Sequence, residues 1–308
     1  MTKLPILAPS LSIIIVNFNT GKFLEKCLQS VVSSQFTLHS LEVIVVDNAS
    51  SDGSEQAASK FSGVSLIKNN QNLGFAAANN IGLKKAAGKY ILLLNPDTLV
   101  EKDTFLKMIK FMEANLDVGV VTCKVLLPNG EIDWASHRGF PTPWNSLAYF
   151  LRLAKIFPKL KLFSGYHQTY KDLSKIHQID SPSGAFYLTR REVIAKVGLL
   201  DEDYFMYGED LDWSYRIKKA GYKIAYNPEA KIIHYKGIAS GIKDHSVKLS
   251  KADLESRVRA VESFYDTMKI FYQKHYQKKY PKFVKILVFF ALNLLKNRRI
   301  AKIRGISL

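Results

Sequence analysis

The chain has 308 residues, of which 44 are Lys or Arg and 27 are Asp or Glu, so its formal net charge is +17. Apolar residues make up 47% of it, and a chain of this length buries enough surface to fold without disulfides. This composition excludes a disordered, collagen-like or disulfide-stapled protein. The only cysteines, Cys27 and Cys123, make neither a disulfide framework nor a metal cluster, which predicts a reducing, cytosolic environment.

Short apolar runs rich in Val and Ile alternate with segments of helical spacing along the first part of the chain. The runs predict buried strands, at residues 11–17, 41–47, 64–68, 90–95 and 118–125. Apolar residues recur with helical periodicity in two of the other segments, 23–32 and 105–112. The pattern predicts an α/β fold with a Rossmann-like, mainly parallel sheet flanked by helices, and a ligand crevice at the carboxyl ends of the strands.

Polar side chains stand where three of these strands end. Asn17 closes the first strand, Asp47 closes the second, and Asn95, Pro96 and Asp97 follow the fourth. Asn and Asp are also common in turns and helix caps, so any one of them alone is equally consistent with a structural role. Pro96 ends the strand and places Asp97 beyond the sheet, where a carboxylate suits a divalent cation.

Two common phosphate-binding motifs are missing from the sequence. No G-x-G-x-x-G follows the first strand, and no G-x-x-x-x-G-K-[ST] occurs anywhere. A bound diphosphate therefore needs a metal to offset its charge, and Asp97 is placed to hold Mg²⁺ or Mn²⁺.

The C-terminal part of the chain is strongly basic. From Lys274 onward it has ten Lys and Arg and no Asp or Glu, and residues 283–295 within it are almost entirely apolar. That run is too short to cross a bilayer, but it suits a helix lying on an anionic membrane surface. A helix packed on the core is the alternative, and nucleic-acid binding is disfavoured because the run is aliphatic.

Six motifs occur together in order and spacing: IIVNFNT at 14–20, VVDNASSDGS at 45–54, NLGFAAANNIG at 72–82, LLNPDT at 93–98, SGAFYLTRR at 183–191 and FMYGEDLDWSYR at 205–216. They resemble the family 2 glycosyltransferases of the GT-A fold, most of all the bacterial rhamnosyltransferase-like branch. The resemblance covers residues 11–241. It predicts a GT-A nucleotide-sugar domain over residues 1–245, and the basic remainder predicts a helical, membrane-associating extension over residues 246–308.

The resemblance implies a binding site for a nucleoside diphosphate sugar. Asp47 matches the aspartate that pairs with the imide N–H of uracil or thymine, a charge-assisted hydrogen bond. Asn17 and Asn19 match positions that touch the base and ribose, and Gly74 matches a place where backbone runs close under the nucleotide. Asn79 stands where relatives carry Arg.

The resemblance also implies a metal site. The first aspartate of the family's metal motif is Asn95 here, so Asp97 is the sole carboxylate ligand from that motif. His234 matches a histidine that completes the site, although a plain histidine at a strand end is the alternative.

The pair Glu209 and Asp210 resembles the paired acids of the family, whose second member deprotonates the acceptor hydroxyl. Acidic residues also stabilise the first turn of a helix, so capping of a helix over 209–220 is the alternative. Trp213 is expected to give a ring on which a sugar face stacks. Gly184 resembles the small residues that line the donor sugar and acceptor, and Arg138 or His137 is expected to contact phosphate.

The function implied is inverting transfer of a sugar, L-rhamnose from dTDP-rhamnose, to a hydroxyl of a lipid-linked or cell-surface glycan. Asp210 serves as the base and a cation on Asp97 stabilises the leaving diphosphate. The alternatives are transfer from a UDP-sugar such as UDP-galactofuranose, UDP-GlcNAc or UDP-galactose, a sugar nucleotidyltransferase, and a non-catalytic membrane- or nucleic-acid-binding protein. The expected location is cytoplasmic, peripheral on the inner face of the cell membrane.

Overall fold

The computed structural model describes residues 9–36, 41–239, 241 and 252–305. The strands in this part of the chain are β1 (Leu11–Asn17), β2 (Leu41–Asp47), β3 (Val64–Lys68), β4 (Tyr90–Leu94), β5 (Thr98–Val100), β6 (Val118–Leu126), β7 (His177–Gln178), β8 (Phe186–Arg190) and β9 (Lys223–His234). The five strands predicted from sequence are confirmed, and their ends shift by at most one residue.

The helices are interspersed with the strands along the chain. They are α1 (Gly21–Val32), α2 (Ser54–Ser59), α3 (Phe75–Lys85), α4 (Thr104–Ala114), α5 (Pro143–Phe150), α6 (Leu153–Ile156), α7 (Lys161–Ser164), α8 (Arg191–Val197), α9 (Glu209–Lys219), α10 (Leu254–His275) and α11 (Lys282–Arg304). The predicted helices correspond to α1, α4, α9 and α11.

The described strands form one mixed sheet in the order β3-β2-β1-β4-β8-β6-β9-β5, with β7 paired to β9. The four strands β3, β2, β1 and β4 are parallel, as the βαβ pattern predicts. β8 runs antiparallel to both of its neighbours, β4 and β6. The parallel arrangement expected from sequence therefore holds for β3, β2, β1 and β4 and again for β6 and β9, whereas β8, β5 and β7 pair antiparallel with their neighbours and make the sheet mixed.

Both faces of the sheet are covered by helices. Alternate residues of a strand point to opposite faces, so Ile13 and Ile15 pack with α1 and α4, whereas Ile14 and Val16 pack with residues of α3 and α9. Burial on both faces explains why the strands read as continuous apolar runs without alternation.

The C-terminal helices attach to the sheet domain through α9. His275 of α10 lies with its Nε2 2.7 Å from Asp212 Oδ1 on α9, and Phe271 of α10 packs with Tyr204 and Leu211. Helix α11 then packs Leu292 against α10. The expected domain boundary at residues 245 and 246 lies outside the described residues.

Helix α11 has two apolar faces. One packs on α10, while the other leaves large side chains at least half exposed: Phe283, Ile286, Leu287, Phe290 and Leu294. No helix in the described ranges has an apolar stretch long enough to cross a membrane. The sequence presents packing on the core and an exposed apolar surface as alternatives for this segment. In the structure, α11 has both, on two different faces.

Candidate active site

The polar residues predicted at the strand ends meet along one edge of the sheet. Asn17 and Asp47 stand opposite each other at the carboxyl ends of β1 and β2, and β4, the other neighbour of β1, is followed by Asn95. Because β8 is antiparallel to β4, with Phe186 opposite Leu94, the residues just before β8 reach the same edge. We call this edge the rim; it consists of Asn17, Asp47, residues 95–97 and residues 183–185.

Asp47 is buried in a network of hydrogen bonds. Its Oδ1 accepts from Asn17 Nδ2 and from Ser50 Oγ, each at 2.7 Å, and its Oδ2 accepts from the backbone N–H of Ser50 at 2.9 Å. Asn19 has a φ of 52°, and its side-chain oxygen accepts from the N–H of Ser51 at 2.8 Å. The loops after β1 and β2 are therefore fixed to each other around the Asp47 carboxylate.

Gly74 is forced to be glycine by its surroundings. Its φ is +86°, and a Cβ there would lie 2.4 Å from the carbonyl oxygen of Phe205. The Gly74 carbonyl accepts from Asn48 Nδ2 at 3.1 Å, and the Phe205 carbonyl accepts from Phe75 N–H at 2.6 Å. Gly74 thus links the Asp47 loop to the segment that leads into α9.

Asn79 lies one turn into α3 and is buried. Its side-chain amide donates to the carbonyl of Phe75 at 2.9 Å. The side chain is therefore tied to its own helix, and it is Gly74, at the start of α3, that joins the Asp47 network.

Asp97 and His234 form the second group at the rim. His234 Nε2 lies 3.2 Å from Asp97 Oδ1 and 3.2 Å from Asn95 Nδ2. Both Asp97 and His234 are buried, and Asn95 Oδ1 is buried with no hydrogen-bond partner among the described residues. An unpartnered buried oxygen beside a carboxylate and an imidazole marks a place where a ligand is needed.

Asp133 holds His234 from the other side and was not predicted from sequence. His234 Nδ1 lies 2.8 Å from Asp133 Oδ2, and Lys236 pairs with Asp133 Oδ1. Burial alone would lower the pKa of His234, but the carboxylates of Asp97 and Asp133 outweigh it and raise that pKa to about 9. Asp133 on one ring nitrogen fixes the ring so that the other nitrogen faces Asp97, and that nitrogen must lose its proton to bind a cation.

The donor set around Asp97 fits a divalent cation. Within the described ranges no three His, Cys, Asp or Glu side chains form a metal-binding group. The available set is instead one carboxylate, one amide oxygen and one imidazole, from Asp97, Asn95 and His234. Oxygen and imidazole ligands suit Mn²⁺ and Mg²⁺, which in nucleotide sites take their remaining ligands from phosphate and water.

Glu209 and Asp210 open α9, as predicted. Gly208 precedes them with a φ of +82°. Asp210 Oδ2 accepts from Arg138 Nη2 at 2.7 Å, and the same guanidinium nitrogen donates to the carbonyl of Pro182 at 2.7 Å. Asp210 therefore lies in a first turn that stabilises negative charge, and Arg138 fixes the position of one of its oxygens.

Glu209 is buried beside that pair. Burial and the charge of Asp210 raise the pKa of Glu209 to about 8. Its Oε2 has no hydrogen-bond partner within the part of the chain that the structure describes. The raised pKa favours the protonated acid, and one of its oxygens is buried without a partner among the described residues.

The expectation that Trp213 gives a stacking surface is wrong. Its ring is completely buried, stacks on Tyr187 at 5.2 Å between centroids, and donates from Nε1 to the carbonyl of Gly198 at 2.9 Å. Trp213 and Ile217 lie four residues apart and form the face of α9 that packs on the sheet. A face that anchors the helix has no surface left for a sugar.

His137 and Arg138, the expected phosphate contacts, have other partners in the structure. His137 Nε2 lies 2.6 Å from His177 Nε2, and His137 Nδ1 lies 2.9 Å from the carbonyl of His167. Burial lowers the pKa of His137 to about 4, so it is neutral. Arg138 binds Asp210, although its Nε is buried with no partner among the described residues.

One short stretch of chain, residues 181–184, connects these groups. Ser181 Oγ donates to the carbonyl of Asp210 at 3.4 Å. At the other end of the stretch, a Cβ on Gly184 would lie 3.0 Å from the ring of Phe75 and 3.8 Å from Asn95 Oδ1. The residues around Asp97 and Asp210 are therefore connected through this stretch, and Phe75, next to Gly74, reaches it from the Asp47 side.

Sequence reasoning missed the residues that support the site from outside the motifs. Asp133 lies in an irregular segment before a short 3-10 helix at Trp134–Ser136, where nothing in the local pattern sets it apart. Ser50 lies inside a recognised motif, and its spacing three residues after Asp47 is the signal of a side chain that caps a loop.

Comparison with known proteins agrees with this fold. A solved structure of the mannosyltransferase PcManGT from Pyrobaculum calidifontis, in complex with GDP-Man and Mn²⁺, superimposes with a TM-score of 0.58 at 18% identity, covering 97% of this chain and 74% of that one. The chain therefore has the GT-A fold of glycosyltransferases.

Sequence comparison then gives the family. The model of Glycosyl transferase family 2 matches residues 12–197, and the chain belongs to that family. The N-acetylglucosaminyl-diphospho-decaprenol L-rhamnosyltransferase of Mycobacterium tuberculosis is 28% identical over 243 residues, covering 75% of this chain and 78% of that protein. Rhamnosyltransferase WbbL of Escherichia coli is 28% identical over 230 residues, covering 72% and 82%.

Proposed function

We propose that this glycosyltransferase moves L-rhamnose from dTDP-rhamnose to a hydroxyl of a polyprenol-diphosphate-linked or cell-surface glycan, with inversion at the anomeric carbon. The observation that carries the proposal is the buried pair of Arg138 and Asp210 next to the rim that holds Asp47 and Asp97. Two rhamnosyltransferases that match most of this chain support the sugar, and the name of the mycobacterial protein supports a lipid-linked acceptor.

On the donor side, Asp47 recognises the base. Its carboxylate accepts three hydrogen bonds from Asn17 and Ser50, which leaves one lone pair, on Oδ2, for the imide N–H that uracil and thymine share. Asn17 and Asn19 line the base and ribose, and Gly74 lets the chain pass close to them. UDP-sugars, among them UDP-galactofuranose, UDP-GlcNAc and UDP-galactose, remain the alternative donors because both bases present the same N–H.

On the cation side, Asp97, His234 and Asn95 are the residues that would hold Mn²⁺ or Mg²⁺. A cation there supplies charge stabilisation for the departing diphosphate. The Mn²⁺ in the similar mannosyltransferase structure supports divalent metal use in this fold.

On the acceptor side, Asp210 is the general base. The acceptor oxygen attacks the anomeric carbon, the bond from that carbon to the diphosphate oxygen breaks, and the hydroxyl proton passes to Asp210. Arg138 holds Asp210 in place, and Glu209, with its unpartnered oxygen, donates a hydrogen bond to bound substrate. Gly184 leaves space for the sugar ring beside Phe75.

The enzyme is proposed to work at the cytoplasmic face of the membrane. Its acceptor class is lipid-linked, and α11 exposes an apolar face next to Lys and Arg side chains. Such a helix binds anionic surfaces without spanning them.

The test is a thermal-shift panel of nucleotide sugars with and without Mn²⁺, followed by transfer to a synthetic polyprenol-diphosphate acceptor. Binding to the folded state raises the unfolding midpoint with affinity. We expect the largest cation-dependent rise with dTDP-rhamnose, and an inverted glycosidic product. A larger rise in the unfolding midpoint with a UDP-sugar would show that this UDP-sugar, not dTDP-rhamnose, is the donor. No rise with any nucleotide sugar would refute the proposal.

A further inference from the structure

Residues 143–164 form a helical lobe beside the proposed acceptor site. The lobe contains α5, α6 and α7, and it is fixed at its base: Gly139 N–H donates to the carbonyl of Tyr166 at 2.6 Å, and Asn145 Nδ2 donates to the carbonyl of Phe140 at 2.9 Å. Arg138 is the residue before Gly139, at the point where the lobe is fixed, and it binds Asp210 at 2.7 Å. The lobe therefore leads directly into the pair proposed to activate the acceptor.

The lobe exposes several large apolar side chains. Its large apolar side chains that are more than two-fifths exposed are Trp144, Leu147, Leu151, Ile156, Phe157, Leu160 and Leu162. They are held together from within, since Trp144 Nε1 donates to the carbonyl of Leu162 at 2.8 Å and Phe163 packs on the rings of both Trp144 and Phe157. Clustered exposed apolar side chains mark an interaction surface.

The charge of the lobe identifies the kind of partner. Residues 134–171 contain no Asp or Glu. Four cations of the lobe, Arg152, Lys155, Lys159 and Lys161, are exposed, and none pairs with a carboxylate among the described residues. Apolar side chains interspersed with unpaired cations complement the acyl boundary and anionic headgroups of a bilayer.

The lobe is also continuous with α11. Phe150 at the end of α5 packs into the cluster formed by Val261, Tyr265 and Leu292, the last of which belongs to α11. Two exposed apolar elements, each rich in Lys and Arg, therefore adjoin through a shared packed cluster.

We propose that the lobe is a second membrane-contact element, which inserts its exposed apolar side chains into an anionic bilayer and binds headgroups through its four cations. The bilayer surface then lies beside Arg138 and Asp210, so that a lipid-linked acceptor reaches the base while its chain stays in the membrane. Only this last consequence rests on the proposed function; membrane contact itself requires no sugar transfer.

The experiment measures partition of the full chain onto vesicles of phosphatidylcholine with about one-third phosphatidylglycerol. The lobe variant replaces Ile156, Leu160 and Leu162 by Ser, and the charge variant carries Lys155→Glu and Lys159→Glu. We expect each to weaken partition by about tenfold or more, because apolar burial and headgroup attraction both fall. Added salt should weaken the wild type but have less effect on the charge variant.

Three comparisons make the result specific. Leu116→Ser changes a side chain that is 74% exposed outside the lobe and should leave partition unchanged. The α11 variant Phe283→Ser with Phe290→Ser should add its loss to that of the lobe variant. Asp210→Asn should partition like the wild type, which separates membrane contact from catalysis.

Trp144 reports the insertion directly, because Trp213 is completely buried and Trp134 is removed by Trp134→Phe. We expect bromine-labelled acyl chains to quench Trp144 in the vesicle-bound protein. Unchanged partition of folded lobe and charge variants, or absence of quenching, would overturn the proposal. A concentration-dependent dimer that the lobe variant abolishes would overturn it too, by assigning the surface to a second copy of the chain.

Discussion

Arg138 and Asp210 are 72 residues apart in the chain, yet Arg138 Nη2 and Asp210 Oδ2 lie 2.7 Å apart in a buried ion pair. The pair gives the proposed base a fixed position at the start of α9. A substitution of Asp210 is also expected to lower the stability of the protein, because removing one partner of a buried ion pair leaves the charge of the other uncompensated.

Asp210→Asn should lower kcat by about 10²- to 10⁴-fold, the usual contribution of a general base. The matched control is Asp212→Asn, which lies two residues further along α9, is also buried, and loses its pairs with Arg216 and His275. Both variants should lose stability, but only Asp210→Asn should lose the chemical step in single-turnover transfer assays. Equal rates in the two variants would remove Asp210 as the base.

Asp97→Ala should abolish turnover and the Mn²⁺-dependent stabilisation by nucleotide sugar, because it removes the only carboxylate of the proposed cation site. Asp103→Ala is the control, since Asp103 is a partly exposed carboxylate paired with Lys107 nearby in sequence. Chelator should reproduce the loss in the wild type. Full wild-type activity in chelator would contradict a role for the cation.

Asp133→Asn should weaken Mn²⁺ binding by about 10- to 100-fold, the usual effect of losing a carboxylate that orients a metal-binding histidine. The readout is calorimetric titration of Mn²⁺ in the presence of dTDP, which does not depend on turnover. Asp117→Asn, at an exposed carboxylate paired with Lys223, should bind Mn²⁺ like the wild type. An unchanged Mn²⁺ affinity in folded Asp133→Asn protein would show that His234 is held by other contacts.

Glu209→Gln should flatten the dependence of stability on pH. Burial and the charge of Asp210 raise the pKa of Glu209 from its ordinary 4.5 to about 8. Between these values the folded protein binds a proton that the unfolded chain releases, so wild-type stability falls as pH rises toward 8. Gln has no proton to lose, so the variant should lack this contribution to the slope.

Urea unfolding at several pH values measures this slope. Glu113→Gln is the control, because Glu113 is more than half exposed and pairs only loosely with Lys89, at 3.9 Å. A wild-type slope in Glu209→Gln would mean that Glu209 is already ionised in the folded protein at neutral pH.

Gly74→Ala should destabilise the fold much more than Gly130→Ala. Both glycines have positive φ, so both substitutions strain the backbone, and Gly74, with a ψ of 172°, lies in a region that is essentially restricted to glycine. Only at Gly74 does the added Cβ meet another atom, the Phe205 carbonyl oxygen at 2.4 Å, whereas nothing lies within 4 Å at Gly130. The difference in unfolding free energy between the two variants measures that clash together with the backbone strain at Gly74, and equal values would show that the Phe205 segment yields freely.

The strands and most of the site could be predicted because their signals are local. A strand covered on both faces must be apolar throughout, and parallel neighbouring strands end at the same edge of the sheet, so the sequence alone predicts that Asn17, Asp47 and Asp97 share that edge. Trp213 could not be assigned in this way. Its position in α9 is compatible with either face, and only the packing on Tyr187 decides that it anchors the helix.

The sequence by itself determined the α/β order of elements, the rim residues and the family, because each follows from residue type at a short, fixed spacing. Tertiary structure alone decided which groups meet across long separations: Arg138 with Asp210, Asp133 with His234, and the lobe with α11. The raised pKa of Glu209 was likewise decided by the tertiary structure alone. It depends on the dielectric and charge around a side chain, and these are set by how the whole chain packs.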